Sequence, residues 1–177
     1  MFQLVNQQAK IKSVTLRTEK NGPNKEVPAI TIRFVFKAVM KTLSTIDETL
    51  PKLLFRKPGK DEVIKGALPP QENLPGVPAA EENTTELTAR KYKQVPSIPW
   101  EEKFTNYHLD IGSGLESTQP LECDGVSVSS FNITPLDGGF AEIEMNCGFL
   151  IDEETAGKLA MMQKHTVEIT LVPPSDE

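Results

Sequence analysis

The sequence predicts an α+β fold, mainly an antiparallel β-sheet with two short helices and a long Pro-rich insertion. Three observations favour this class. Several segments alternate apolar and polar residues with the period of two that is typical of strands, two segments have helical spacing, and residues 56–103 contain seven prolines. The predicted order is ββα, the insertion, and then βββαβ. We expect a single domain over residues 1–177, with 56–103 as a loop or arm within it.

The first two predicted strands form a hairpin with a long loop. Residues 11–18 and 29–38 both alternate, and the intervening segment 19–28 is rich in turn-forming residues. In the first strand, Val14 and Leu16 are expected to face the core. The polar face of the same hairpin then carries several basic side chains.

The two predicted helices differ in how clearly the sequence marks their ends. Apolar residues at helical spacing predict a short helix near 45–50, with Ser44 or Thr45 as its N-cap. The segment 152–164 begins with Asp152, a favoured N-cap residue, and has acidic residues in its first turn and lysines later. We therefore expect a second helix over 152–164.

Both cysteines lie in the segment that contains a predicted β-hairpin around "PLDGG". Its second strand, 139–149, places Cys147 among alternating core positions, and on the first strand the apolar parity changes at Ser129 and Ser130, which predicts a β-bulge. In that register Cys123 lies three positions from Cys147 along the strand, too far for a disulfide. We interpret Cys147 as a core residue and Cys123 as a thiol near a turn.

The net charge of −6 is unevenly distributed along the chain. Residues 1–65 hold thirteen Lys and Arg against six Asp and Glu, whereas residues 66–177 hold six against nineteen. Such asymmetry is typical of a charged surface for an oppositely charged partner. Alternatively, folding interleaves the two halves and most of the charge cancels.

Strand alternation places candidate binding residues on two outward faces. The acidic candidates, which would form one patch if the last strand lay beside the "PLDGG" hairpin, are Glu142, Glu144 and Glu168. The basic candidates, on the N-terminal hairpin and in the segment "RKYK", are Arg17, Arg33, Lys37, Arg90, Lys91 and Lys93.

The sequence carries no recognisable catalytic, cofactor or metal motif. There is no GxGxxG motif and no P-loop, and the two histidines and two cysteines include no CxxC or HxxxH pair. We therefore expect no enzyme activity, no cofactor and no metal. A hydrolase with an unrecognised site is the weakest alternative. The lack of a secretory or membrane-spanning apolar run leads us to expect a soluble, cytoplasmic protein.

Three segments resemble small proteins encoded by tailed bacteriophages and prophages: "AKIKSVTLRTEKNG…VPAITIRF", "LSTIDETLPKLLFR" and "IDEETAGKLAMMQKHTVEITL". The resemblance implies a phage accessory protein in the host bacterial cytoplasm, and it carries no catalytic residues. Our leading hypothesis is a non-enzymatic protein that binds a protein partner through its charged β faces and Pro-rich arm. The alternative is a single-stranded nucleic-acid-binding protein that uses the basic N-terminal sheet. Opposed charges would also permit a homo-oligomer.

Overall fold

The structure is a computed structural model, which describes residues 2–20, 26–59, 87–112 and 120–174. Within these residues the chain forms nine strands and three helices. The strands are β1 (Leu4–Lys20), β2 (Glu26–Val39), β3 (Phe55–Arg56), β4 (Ala89–Arg90), β5 (Ile98–Trp100), β6 (Phe104–Gly112), β7 (Leu121–Leu136), β8 (Phe140–Leu150) and β9 (Thr166–Val172). The helices are α1 (Met40–Ile46), α2 (Leu50–Leu54) and α3 (Glu153–Met161).

Seven of these strands share one sheet, which closes on itself. Their order is β5-β7-β6-β9-β1-β2-β8, and β8 also pairs with β7, so six strands form a closed ring with β5 added outside β7. The pairs β1–β2, β1–β9, β6–β7 and β6–β9 are all antiparallel. The mainly antiparallel sheet was thus predicted correctly, whereas its closure was not predicted.

Alternation along the strands supplies the core. In β8 the buried side chains are the odd-numbered ones from Ala141 to Phe149, as the sequence predicts. Three aromatic rings pack together in this core, with centroid distances of 5.4 to 5.9 Å. They belong to Phe2 near the N-terminus, Phe104 on β6 and Phe131 on β7. Such clustered rings bury large apolar areas and add edge-to-face contacts.

Two bulges in β7 change which of its side chains point into the core. Ser130 has a positive φ of 58°, and Val128 and Phe131 on either side of the bulge are both buried, which confirms the bulge predicted there. A second irregularity, at Gly125 with φ 64°, was not predicted. Because of it, Cys123 is turned into the interior, so both cysteines are buried, although only Cys147 was predicted to be a core residue.

The first helix begins earlier than predicted. Val39 precedes α1 without a side-chain cap, and the Ser44 and Thr45 hydroxyls donate back to the carbonyls of Met40 and Thr42 instead of capping. A third helix, α2, was also missed. The C-terminal helix begins where the sequence predicts. Its N-cap is Asp152, which accepts a hydrogen bond from the Thr155 amide at 2.8 Å. It ends at Met161 rather than at residue 164.

Residues 60–86 of the predicted insertion lie outside the described residues. At its described ends, short strands occur where prolines were expected to prevent them. Pro99 lies within β5, at the end of the sheet order, where a missing N–H costs no ladder hydrogen bond. Ala89 and Arg90 pair with Arg56 and Phe55 in the separate two-stranded sheet β3–β4.

The chain divides into two compact units. Unit 1 comprises Met1–Phe36, Pro99–Asn132 and Ile143–Glu177, and unit 2 comprises Lys37–Ile98 and Ile133–Glu142. No helix in the described ranges is long and apolar enough to span a bilayer.

In unit 2 the tip of the β7–β8 hairpin is held by the segment before β4. The Gly138 amide donates to the Thr88 carbonyl at 3.0 Å, and Arg90 Nε donates to Asp137 Oδ1 at the same distance. Gly139 has φ +80°, and a Cβ on it would lie 2.9 Å from Met40 Cε. The tip therefore requires glycine.

Candidate functional site

In unit 1, β1 is longer than the strand beside it. β9 pairs with β1 from Leu4 to Lys10, whereas β2 pairs with β1 from Lys10 to Lys20. The Ile11 amide donates to His165 O at 2.9 Å, and the Ile11 carbonyl accepts from the Lys164 amide at 2.8 Å, so the turn after α3 closes the edge at this point. Beyond it, residues 13–20 have a strand on one side only within the described ranges. We call residues 13–20 the open edge.

The direction of the backbone groups on the open edge follows from β2. The Pro28 carbonyl accepts from the Ile151 amide at 3.1 Å, so this residue of β2 turns its backbone groups towards the β8 side. Backbone direction alternates along a strand, so Ile30 and Ile32 face the same way as Pro28. All three therefore form non-hydrogen-bonded pairs with β1.

The residues of β1 opposite these three must turn their own backbone groups away from β2. They are Val14, Leu16 and Thr18, paired with Ile32, Ile30 and Pro28. Their three N–H and three C=O groups consequently point to the unpaired side of the open edge. A row of this kind is a template for an added strand.

Apolar side chains accompany these backbone groups. Val14 is half-buried and Leu16 is 60% exposed, although both were predicted to face the core. They do share a face with the buried Ile30 and Ile32. However, the open edge lacks the neighbouring strand that would cover them. Leu16 is thus exposed because of its place in the sheet order, which local periodicity cannot reveal.

The helix before the closing turn contributes a further exposed apolar group. Met161, in the last turn of α3, is 81% exposed and lies three residues before Lys164. Three residues span at most about 10 Å, so Met161 is near the start of the open edge.

The predicted basic residues of unit 1 are already engaged by neighbouring side chains. Arg17 forms an ion pair with Glu19 at 2.7 Å. Arg33 Nε donates to Asn146 Oδ1 at 3.0 Å, and Lys12 pairs with Glu144. Of these contacts, Lys12–Glu144 pairs a cation of residues 1–65 with a carboxylate of residues 66–177, so folding brings the basic and acidic segments together at that position.

The predicted acidic residues do not form one patch. Glu144 is half-buried beside Lys12, whereas Glu168 accepts from Gln8 Nε2 at 3.2 Å on β9. β1 and β2 separate β9 from β8 in the sheet order, so the condition for a shared patch, the last strand beside the hairpin, is not met. Glu142 is exposed on β8.

The remaining basic candidates lie in unit 2. The Lys37 ammonium lies 4.2 Å from the centre of the Phe140 ring, within the range of a cation–π contact. Arg90 is paired with Asp137, as described above. Lys91 and Lys93 flank Tyr92, which is 48% exposed, and Lys91 Nζ lies 5.9 Å from its ring centre.

His108 in unit 1 is held between two carboxylates, an arrangement that the sequence analysis missed. Its Nδ1 lies 2.6 Å from Asp124 Oδ1, and its Nε2 lies 2.9 Å from Asp110 Oδ1. The hydrogen bond to Asp124, with the added field of Asp110, raises the pKa of His108. Since an ionised carboxylate only accepts, both contacts are hydrogen bonds only when the ring is the doubly protonated imidazolium.

Both cysteines lie where burial makes their thiols unreactive. Both are free and buried, and burial, reinforced by Asp110, Asp124 and Asp152, raises the pKa of Cys123 to about 12. Burial likewise raises the pKa of Cys147 well above its usual range. The thiolate is the nucleophilic and metal-binding form, so neither residue is activated for such chemistry.

Two clefts open on the surface of unit 1. The larger, about 510 Å³, is lined by Glu122, Asp124 and Asp152 above an apolar floor that includes Cys123 and Phe149. The other, about 420 Å³, lies beside Trp100 and the Ser130 bulge. In the described part of the chain, no group of three or more His, Cys, Asp or Glu residues is arranged to hold a metal ion.

Comparisons with known proteins found no similar protein. No protein-family model matches the chain, and no curated protein or solved structure is significantly similar to it. The open edge of β1 is therefore the candidate site on the strength of its own geometry.

Proposed function

We propose that this protein is a non-enzymatic interaction protein that binds a protein partner by accepting an extended segment as an added strand on the open edge. The observation that carries the proposal is the outward row of backbone groups at Val14, Leu16 and Thr18. Strand addition obtains affinity from such main-chain hydrogen bonds and specificity from alternate side chains. The open edge therefore offers an extended partner unpaired backbone groups at three alternate residues.

The composition of the open edge supports this role. Its sequence, SVTLRTEK, contains neither proline nor glycine and is rich in residues that favour strands. Natural sheets protect exposed edges with charged side chains, proline, bulges or short strands. The charges of the open edge are confined to its second half, at Arg17, Glu19 and Lys20. The bulge in β1 lies between Ile11 and Ser13, before the open edge, and leaves the rest of it regular.

The nucleic-acid alternative receives less support. Two cations of the N-terminal sheet, Lys12 and Arg17, are paired with Glu144 and Glu19, which weakens the field that would attract phosphate groups. Single-strand binders also stack bases on exposed aromatic rings. In the described part of unit 1, the sheet rings Phe34, Phe36, Tyr107, Phe131 and Phe149 are buried instead, and Trp100 and Phe104 are half-buried.

In its biological setting, we propose that the protein acts in the cytoplasm of a bacterial host, as the resemblance to phage-encoded proteins suggests. Affinity capture of a tagged chain tests the function, with and without nuclease, in lysate of bacteria that also express an untagged copy of the chain. Three forms of the tagged chain are compared: the wild type, Thr18→Pro and Leu150→Lys. Thr18→Pro removes an outward N–H without removing a β1–β2 hydrogen bond. Leu150→Lys is the matched control, because Leu150 is 51% exposed on β8, away from the open edge.

We expect the wild type and Leu150→Lys to retain the same nuclease-resistant partner and Thr18→Pro to lose it. Equal capture by Thr18→Pro would refute binding at the open edge. Loss of all capture after nuclease treatment would instead favour the nucleic-acid alternative.

A further inference from the structure

We infer that the strand added to the open edge is the open edge of a second copy of this chain, paired antiparallel about a two-fold axis through Thr18. This inference rests on the proposed function and names the partner of the same site. The sequence of the edge, its backbone directions and the position of the turn after α3 together select this register.

Backbone directions allow pairing only between residues whose polar groups point outward. These are Val14, Leu16 and Thr18, and alternation adds Lys20. About a two-fold axis at Thr18, each Thr18 pairs with its counterpart, and Leu16 pairs with Lys20 of the second copy. Each of these pairs exchanges two N–H···O bonds, which gives six in all.

Charge complementarity supports this register. On the outer face, Arg17 comes directly opposite Glu19 of the second copy, and Glu19 opposite its Arg17. Opposite charges at directly opposed positions stabilise an antiparallel pair. Within one chain Arg17 and Glu19 lie 2.7 Å apart, with both side chains more than 40% exposed, and the Arg17 guanidinium lies beside Gly148 of β8. Association therefore exchanges this pair within each chain for two pairs between the chains.

The inner face of the same register covers exposed apolar surface. Leu16, 60% exposed in the single chain, would lie against the aliphatic part of Lys20 of the second copy. A lysine in such a position buries its methylene groups and keeps its ammonium in water.

The neighbouring turn excludes the competing register. If the axis passed through Leu16, Lys20 of the second copy would lie opposite Lys12, next to Ile11, whose backbone groups are already bonded to Lys164 and His165. An axis through Arg17 is disfavoured by charge instead, because it would set Arg17 opposite the same residue of the second copy.

An interface of one strand pair is small, so we expect weak association that depends on protein concentration. Light scattering coupled to size exclusion, with sedimentation over a range of concentrations, should show a mass rising from 19.6 kDa towards twice that value. Thr18→Pro should remain at the single-chain mass throughout.

A charge swap tests the register itself. Arg17→Glu and Glu19→Arg each place like charges opposite one another and should abolish the rise in mass. The double variant R17E/E19R restores both opposed pairs and the pair within each chain, and should recover association. Leu150→Lys is the control and should associate like the wild type.

Three results would overturn the inference: a wild type that stays single at all concentrations, single reversals that associate normally, or a double variant that does not recover. The capture experiment separates this failure from that of the proposed function. If the chain stays single while Thr18→Pro still loses a captured partner, strand addition stands and self-pairing falls. If neither association nor edge-dependent capture occurs, both fall.

Discussion

The Ile151 amide donates to the Pro28 carbonyl at 3.1 Å, and this bond shows which backbone groups of β1 lie on its unpaired side. It turns Pro28 towards β8 and, by alternation, leaves the amides of Val14, Leu16 and Thr18 unpaired across the sheet. The same kind of contact between a few named residues sets the amide exchange, pH dependence, thiol reactivity and glycine tolerance of the protein.

Hydrogen exchange should show a period of two along the open edge. At low protein concentration, we expect the amides of Val14, Leu16 and Thr18 to exchange more than about tenfold faster than those of Thr15 and Arg17, which face β2. Residue-resolved exchange by nuclear magnetic resonance measures this pattern. Uniform protection from 14 to 18 would show that the edge is covered.

The His108 clamp should make stability depend on pH. Its folded pKa is raised above the unfolded value of about 6.5, so the stabilisation is fully present below that pH and is lost as pH rises through the folded pKa. Asp110 and Asp124 are the charged groups at the ring, and the β9 residue opposite His108 is the uncharged Val172.

The Asp124→Asn variant tests this dependence by urea unfolding at pH 5.5 and pH 8.5. We expect it to lose more stability at pH 5.5 than at pH 8.5, and the pKa of His108, followed by its ring resonances, to fall. Glu142→Gln, which also removes one exposed carboxylate, should show neither effect. An equal loss at both pH values would contradict the clamp.

Thiol reactivity should report folding. Because burial raises the pKa of Cys123 to about 12 and that of Cys147 well above its usual range, we expect both to react slowly with an aromatic disulfide reagent at pH 8. Both should react completely in denaturant. Rapid reaction of either thiol in the native protein would show that its strand opens readily.

Two glycine variants separate backbone strain from crowding. Gly125→Ala meets no atom within 4 Å, so only its positive φ should cost stability, by about 1 kcal/mol. Gly139→Ala meets Met40 Cε at 2.9 Å and the Leu87 carbonyl at 3.1 Å in addition, so we expect a loss of about 2 to 3 kcal/mol. Urea unfolding measures both, and equal losses would argue against the close packing at the hairpin tip.

The sequence predicts those features that depend on neighbouring residues. The parity change at Ser129 and Ser130 reveals a bulge, and Asp152 marks the start of α3, because both signals are local. The bulge at Gly125 had a comparable signal in the dipeptide Asp124-Gly125, which is typical of a left-handed backbone position.

Features that depend on strand order were beyond such reasoning. The insertion of β9 between β6 and β1 separates Glu168 from Glu144 and leaves Leu16 without a neighbouring strand. The alternation of apolar and polar residues within β1 or β9 carries no information about which strands lie beside them. The candidate site was therefore missed, although residues 13–18 were read as part of a strand; Glu19 and Lys20 were assigned to the turn-rich segment, and β1 extends through both.

The pairing of β1 with β9 also constrains how the chain is made. Asn6 and Thr170, which are hydrogen-bonded across this pair, are 164 positions apart. A nascent chain must hold β1 without its second neighbour until nearly all of the sequence has left the ribosome, and contacts this distant form slowly. Until β9 emerges, residues 4–9 of β1 lack the strand that pairs with them, so a second stretch of unpaired backbone is exposed during synthesis and is covered only in the finished fold.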